Sequence, residues 1–383
     1  MEIKKIILFT YGDSASASTW SNVPFLMRST FEKKGIEIVP VDISASKTLS
    51  RLHNLFVLRP LNLLGSRDYY FTRTALFRTI TDRKIRKAVD KHHDADYCIF
   101  LNFEFYNRFS AIPSLLFSDW TYRILLDDRR QGKSNILDRA FMRRQAKAIS
   151  KATVVLPLFS RSADTMRRHY PDAEICSIPA NVSNTLDPQP LDADSIISGK
   201  TTSRDILFVG NYAYIDGLRL LIGALDRLKT QGTTLHVIGI TGEIVPDAPA
   251  NVRFHGYLRK DVPSENHTYY SLMRSARILA NPSENWGAYS STIEAMYYYT
   301  PVTVSPYGQF VKEFGTGIRF GEYCTEQSPD TLAAIIDRTF DLSAPEYADR
   351  CLHAHKSVEN YTWDTYVDSM LAIMSAHPAK HKN

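Results

Sequence analysis

Short apolar runs separated by amphipathic stretches recur from the first residues onward, the pattern of βα units around a parallel sheet. Ile6-Ile7-Leu8-Phe9-Thr10-Tyr11 predicts a first strand that ends at Gly12. After a serine-rich loop, Asn22 and Pro24 are placed to start a helix that buries Val23, Met27 and Phe31, and Gly35 to stop it. Strands are expected again over 37–43 and 97–101, with short buried runs at 154–158 and 175–178. Between Asn181 and Arg204 the periodicity is lost and Asp, Ser and Pro accumulate, as in an interdomain linker. The pattern restarts at Asp205-Ile206-Leu207-Phe208-Val209-Gly210. It continues through a helix with Leu218, Leu221, Leu225 and Leu228 on one stripe, then strands over 235–239, 252–256 and 278–280. The expected class is therefore α/β, with two Rossmann-like doubly wound domains. They occupy 1–182 and 205–360, joined by a linker over 183–204 and followed by a helix over 361–376 and a polar tail over 377–383.

Composition agrees with two cores, since 383 residues at 44% apolar content exceed one ordinary core. No run approaches the ~20 apolar residues needed to span a bilayer and no leader pattern opens the chain, so a cytoplasmic protein is expected. Cys98, Cys176, Cys324 and Cys351 stand alone in sequence, indicating neither a disulfide scaffold nor a zinc site. The net charge of +5 conceals an asymmetry: residues 1–180 hold 29 basic and 18 acidic side chains, residues 181–383 hold 17 and 23. A basic first half suits an anionic membrane surface, on the inner face of the plasma membrane, or an acidic substrate. A solvated helix face explains the same charges equally well. The basic residues form no nucleic-acid recognition module, and nucleic acid is excluded as a partner.

In a doubly wound sheet, ligands gather beyond the carboxyl ends of the strands, which directs attention to the loops after Val209 and Ala280. The second, Asn281-Pro282-Ser283-Glu284-Asn285-Trp286-Gly287-Ala288-Tyr289-Ser290-Ser291, leads into a helix containing Glu294. Gly287 permits close backbone approach, and the N–H groups of Ala288, Tyr289, Ser290, Ser291 and Thr292 at a helix start suit a diphosphate. Glu294 has two readings at this level. It can accept hydrogen bonds from two ribose hydroxyls, or it can close a capping box on Ser291.

The order of Gly210, Val252-Arg253-Phe254-His255-Gly256-Tyr257, Ser275-Ala276-Arg277, Pro282-Ser283, Gly287, Glu294-Ala295-Met296 and Pro301-Val302 resembles the C-terminal half of the retaining GT-B glycosyltransferases of group 4, the mannosyl- and glucosyltransferase-like family. Ser150 to Leu156, Ile178-Pro179-Ala180-Asn181-Val182 and Tyr361-Thr362-Trp363 extend the resemblance over most of 150–370. It implies a C-terminal domain that binds a nucleotide-sugar donor, an N-terminal domain that binds a glycan acceptor, and a last helix crossing back to the first domain. It also implies transfer in the cleft without an essential metal or other cofactor. Asp94-Ala95-Asp96 and Asp192-Ala193-Asp194 carry the spacing of a metal-binding carboxylate pair, but one precedes a strand and the other lies in the linker.

Three departures from the family stand out. Its first loop glutamate falls on Trp286, with Glu284 and Asn285 near enough to substitute. Its two diphosphate-binding cations fall on Asn211 and near Asp216. Arg219, Arg259 and Lys260 are the candidate replacements, although each judged alone reads as a surface charge, with Tyr257 also on the donor side. For the acceptor side, Asp119 and Trp120 follow an apolar run: the resemblance implies that Asp119 faces the transferred sugar, with Trp120 as a stacking platform, whereas by local pattern alone Asp119 equally caps the following turn and Trp120 packs in the core. Gly12 and the loop carrying Trp20 follow the first strand. The expected function is transfer of a hexose from a nucleoside-diphosphate sugar to a glycan, lipid-linked and part of a surface polysaccharide such as lipopolysaccharide, with retention. An inactive GT-B-like scaffold subunit and a sugar-nucleotide epimerase are the alternatives.

Overall fold

A computed structural model describes residues 2–60, 70–130, 134, 136–178, 182–183, 185–284 and 289–378. The chain divides into two compact units, one comprising Met1–Ala180 with Asp364–Asn383, the other Asn181–Trp363. Among the described residues no helix is long and apolar enough to cross a membrane.

Unit 1 is built on five parallel strands in the order β2-β1-β3-β4-β5: β1 Lys5–Thr10, β2 Glu37–Asp42, β3 Tyr97–Phe100, β4 Ser114–Ser118 and β5 Val154–Pro157. The central strands read as unbroken apolar runs because helices cover both faces of the sheet. Ile7, Phe9, Cys98, Phe100, Leu116 and Val155 lie in one core. The first helix spans Val23–Lys33 and buries Val23, Met27 and Phe31, as its periodicity predicts, and Gly35 follows at φ +78°. The last helix, Trp363–Ala376, joins this unit from Asp364 onward. Asp368 pairs with Lys34 at 2.8 Å, and the Tyr366 ring meets the edge of Phe117 at 6.0 Å. Asp94 and Asp96 are spent on structure: Asp94 pairs with Lys5 at 2.9 Å, and the Asp96 carboxylate accepts from the backbone N–H groups of Lys4 and Lys5.

Unit 2 holds six parallel strands in the order β11-β10-β9-β6-β7-β8: β6 Asp205–Val209, β7 Thr234–Ile238, β8 Val252–Gly256, β9 Ile278–Asn281, β10 Val302–Val304 and β11 Gly321–Tyr323. The leucine stripe of the helix Ile215–Leu225 packs on Ile206, Phe208, Val237 and Ala280.

The irregular linker expected over 183–204 is corrected here, because Ala193–Thr201 is a helix within unit 2. Asp192 caps it by accepting from the Ser195 N–H at 3.2 Å, which accounts for the second paired-aspartate motif. The helix buries Ile196, Ile197 and Lys200. That ammonium is fully buried and donates to the carbonyls of Met273 and Ala276 and to the Thr300 hydroxyl at 2.6–3.0 Å. It thereby satisfies the open C-terminal end of the helix Pro263–Ser275.

Candidate functional site

In unit 2 the chain runs outward from β6 through β7 to β8, then returns to place β9 on the other side of β6. The switch point lies between β6 and β9, where a doubly wound sheet leaves a crevice beyond its carboxyl ends. Asn281, wholly buried, ties the two strand ends together: its Nδ2 donates to the Val209 carbonyl at 3.4 Å and its Oδ1 accepts from the Ser283 N–H at 3.2 Å. Gly217 is required in the following helix, since a Cβ there would overlap the Ser283 side chain and backbone. The helix Ser290–Tyr297 begins next to this crevice, with the positive end of its dipole at the strand ends.

The residues named from the sequence distribute unevenly around this point. Asn285, Trp286, Gly287 and Ala288 lie outside the described residues. Glu284 is exposed just before them, and Ser290 and Ser291 are half-buried at the helix start. The Tyr289 side chain is buried against Tyr307 and Phe310, so only its backbone is available to a ligand. Asn211 uses its side-chain oxygen to accept from the Ala213 N–H at 2.9 Å, and Tyr257 is exposed. Arg219 is exposed beside Asp216 at 3.8 Å, while the Arg259 guanidinium is engaged by Asp261 at 3.0 Å.

Glu294 shows the largest departure from a single-residue reading. Its carboxylate is 2% exposed and surrounded. Lys260 Nζ donates to both oxygens at 2.7 and 2.8 Å, Tyr269 donates to one at 2.8 Å and Tyr270 to the other at 3.1 Å, with Thr185 Oγ1 at 3.5 Å. The capping-box alternative is overturned: Ser291 lies inside the helix, and among the described residues none of the partners of this carboxylate belongs to the helix start. Lys260 is likewise no surface charge. Burial lowers its pKa from the usual lysine value, and Glu294 opposes that shift. The Tyr269 and Tyr270 hydroxyls are pushed far up by burial and then by the Glu294 charge, so both remain donors. Sequence inspection missed these tyrosines because nothing in their local pattern distinguishes them from core aromatics. Against the network lies a cavity of about 310 Å³, lined by Leu186, Asn266, Lys260, Tyr270 and the Asp187–Arg274 ion pair.

Unit 1 brings its strand-end loops together in the same way. Loops after β1, β3 and β4 line a cavity of about 250 Å³ bounded by Tyr11, Trp20, Glu104, Asp119 and Trp120. Gly12 adopts φ +97° and donates its N–H to Asp42 at 3.0 Å, which turns the chain out of β1. Trp20, Ser21 and Asn22 follow at φ +38°, +52° and +70°, a left-handed run that costs non-glycine residues ~1 kcal/mol or more each. Trp120 stacks on Phe159 with ring centres 6.0 Å apart. Asp119 accepts from the Ser118 hydroxyl at 3.0 Å, and burial raises its pKa. Glu104, absent from the sequence reading, accepts from the Tyr11 hydroxyl at 2.5 Å. Burial raises its pKa too, against the lowering effects of Tyr11, Arg73 and Arg144. Its signal is positional: it lies three residues past the end of the strand expected over 97–101. Among the described residues, Glu174, Cys176 and His377 also bring ligand atoms within 4.8 Å of one another, a grouping that sequence spacing does not reveal.

Two parallel doubly wound units of this kind define the GT-B fold. Solved structures agree over nearly the whole chain. Sucrose-phosphate synthase from Thermosynechococcus elongatus superposes with a TM-score of 0.67 at 14% identity, covering 97% of this chain and 98% of that one. HepE from Anabaena, in complex with UDP and glucose, gives 0.59 at 14% identity, covering 97% and 100%. WaaG, a glycosyltransferase involved in lipopolysaccharide biosynthesis, gives 0.59 at 14% identity, covering 97% and 99%. No curated protein matches the chain in sequence. Residues 203–341, within the second unit, match the family described as glycosyl transferases group 1.

Two outcomes follow from the site geometry. Glu294→Gln leaves the Lys260 ammonium buried without its counter-charge, which costs ~3–5 kcal/mol. Unit 2 is expected to unfold at clearly lower denaturant concentration, and Lys260→Met combined with Glu294→Leu to lose less than the sum of the single variants. Unchanged stability of Glu294→Gln contradicts the network.

Asp119, raised by burial, stays protonated above the pH at which an exposed aspartate ionises. In that window the native state binds more protons than the unfolded one, so this group's contribution to stability falls as pH rises. The acid limb of kcat/KM is expected above the ordinary aspartate range and to vanish in Asp119→Asn; an unaltered limb in that variant removes Asp119 from the reaction.

Proposed function

We propose that the protein moves a hexose from a nucleoside-diphosphate sugar, held by unit 2, onto a glycan acceptor held by unit 1, with retention of configuration and without an essential metal. The observation that carries this reading is the start of the helix Ser290–Tyr297 beside the β6/β9 switch point, where backbone N–H groups and the helix dipole favour a diphosphate. The nucleotide and sugar named for the Anabaena structure support the donor class. The unit 1 cavity, with two carboxyl groups and four aromatic residues in its lining, suits a sugar acceptor, because rings present apolar faces while carboxyl groups hydrogen-bond to hydroxyls. The basic first half supports a lipid-linked acceptor and work at the inner face of the plasma membrane, and the role printed for WaaG supports surface polysaccharide synthesis.

In the proposed step the acceptor hydroxyl oxygen bonds to the anomeric carbon on the face from which the diphosphate departs. The carbon–phosphate-oxygen bond breaks, and the hydroxyl proton passes to that departing oxygen. The group 4 character read from the residues belongs to this proposal, as does the helix-start donor site formed with Glu284, Ser290 and Ser291. A leaving diphosphate requires charge stabilisation worth ~3–4 kcal/mol per donor, and the helix N-terminus is the leading source.

One observation favours a rival. Glu294 and Arg259 are already engaged by Lys260 and Asp261, as a non-catalytic binding subunit would tolerate. Incubation with UDP-, GDP- and ADP-hexoses separates the readings. The transferase is expected to hydrolyse one donor slowly without acceptor and to show a thermal shift with the matching nucleoside diphosphate. A thermal shift without hydrolysis or transfer favours the binding subunit, an altered but intact donor sugar the epimerase, and no response at all defeats the donor-binding proposal.

A further inference from the structure

The helix Lys47–His53 and its continuation Asn54–Leu58 carry apolar side chains on two sides. One side is accounted for by unit 1: Leu49 packs on the core, Leu58 is buried, and the His53 ring lies 4.8 Å from that of Phe71. The other side is not. Leu52, Leu55, Phe56 and Val57 are 50%, 48%, 70% and 42% exposed. Leu52 stands near the end of the α-helical part, and Leu55, Phe56 and Val57 on the π-helical turn that follows it. Single exposed apolar residues are ordinary, but four adjoining ones on one short helix, including an outward phenylalanine, mark an interaction surface.

The charges around this face indicate what it meets. No Asp or Glu occurs from Ile43 to Pro60, whereas Lys47, Arg51 and Arg59 flank the apolar residues and are exposed. The following helix, Ala75–Lys91, adds exposed Arg83, Arg86 and Lys87 to the same unit and an exposed Leu76 near its start. Apolar side chains bordered by cations and devoid of acids are the chemistry of an interfacial segment. The hydrocarbon enters the headgroup boundary while Lys and Arg remain with lipid phosphates.

We propose that Lys47–Arg59 is the seat of unit 1 on an anionic lipid bilayer, with Leu52, Leu55, Phe56 and Val57 inserted and Lys47, Arg51 and Arg59 at the phosphates. This deepens the proposed reading of a lipid-linked acceptor and rests on it for its purpose, although its test needs no turnover. A single short segment of this kind binds reversibly, so attachment depends on lipid charge and ionic strength.

The full chain is to be co-sedimented with vesicles of 70:30 phosphatidylcholine:phosphatidylglycerol and of phosphatidylcholine alone, at low and high salt. Partition to the anionic vesicles is expected to be at least tenfold stronger and to fall with salt. Leu52→Ser with Phe56→Ser is expected to weaken it at least tenfold with an unchanged melting temperature, and Arg51→Glu with Arg59→Glu to do the same. Because all four residues are exposed, transfer to a water-soluble acceptor is expected to survive both pairs. Absence of vesicle binding, or binding untouched by both double variants, overturns the proposal. So does a concentration-dependent dimer in light scattering that disappears with the Leu52/Phe56 pair, since that face would then belong to a second copy of the chain. Loss of transfer with vesicle binding intact counts instead against the transferase reading.

Discussion

Glu294 and Lys260 form an ion pair removed from water, the Glu294 side chain 2% and the Lys260 side chain 10% exposed, and much of unit 2 is arranged around it. Taking two such charges out of water costs several kcal/mol per ion, so the pair persists only if its remaining hydrogen-bonding capacity is met. Tyr269 and Tyr270 meet it from the helix Pro263–Ser275, and Thr185 adds a contact from the segment that enters the unit. One carboxylate thus fixes the helix that starts at the β6/β9 crevice to two other parts of the fold. Tyr270 also accepts responsibility for the entering segment by bonding the Leu186 N–H, while Asp187 holds Arg274 and the Tyr298 hydroxyl. The orientation of the helix start, the proposed seat of the diphosphate, is therefore set by polar contacts as well as by the leucine core.

Both units apply the same topological rule to different ends. In each, the first strand has its successor on one side and a later strand on the other, and the loops at that reversal carry the chemistry. In unit 2 the crevice is formed by close backbone approach, with Gly217 against Ser283 and Gly239 against the Gly210 carbonyl. In unit 1 it is formed by side chains: two carboxyl groups made less acidic by burial, beside Tyr11, Trp20 and Trp120. Backbone donors suit an anion, whereas carboxylates and aromatic faces suit a neutral sugar. The division of labour proposed for donor and acceptor follows from that contrast.

The fold was largely readable because buried parallel strands and leucine stripes leave periodic marks. Ile6 to Tyr11, the Val23–Lys33 helix and the restart at Asp205 fall where hydrophobicity alone puts them. The helix Ala193–Thr201 was not readable, since its anchor is the ammonium of Lys200 bonding carbonyls more than seventy residues away, and its composition resembles a loop. The candidate site was readable as loops but not as partnerships. Sequence places Glu294 on a helix near the right strand end, yet its meaning depends on Lys260, 34 residues earlier, and on two tyrosines that look like ordinary core. Glu104 escaped because a lone acid in an aromatic stretch carries no motif; only its position beyond β3 gives it significance.

The central claim is that unit 2 receives a nucleoside diphosphate at the carboxyl ends of β6 and β9. Hydrogen–deuterium exchange of the full chain, with and without a saturating nucleoside diphosphate, addresses it directly. Slowed exchange is expected at the amides of 210–214 and 289–293, with little change at 10–20 and 101–104. Protection confined to the unit 1 loops, or none anywhere with every nucleotide tried, would contradict the account.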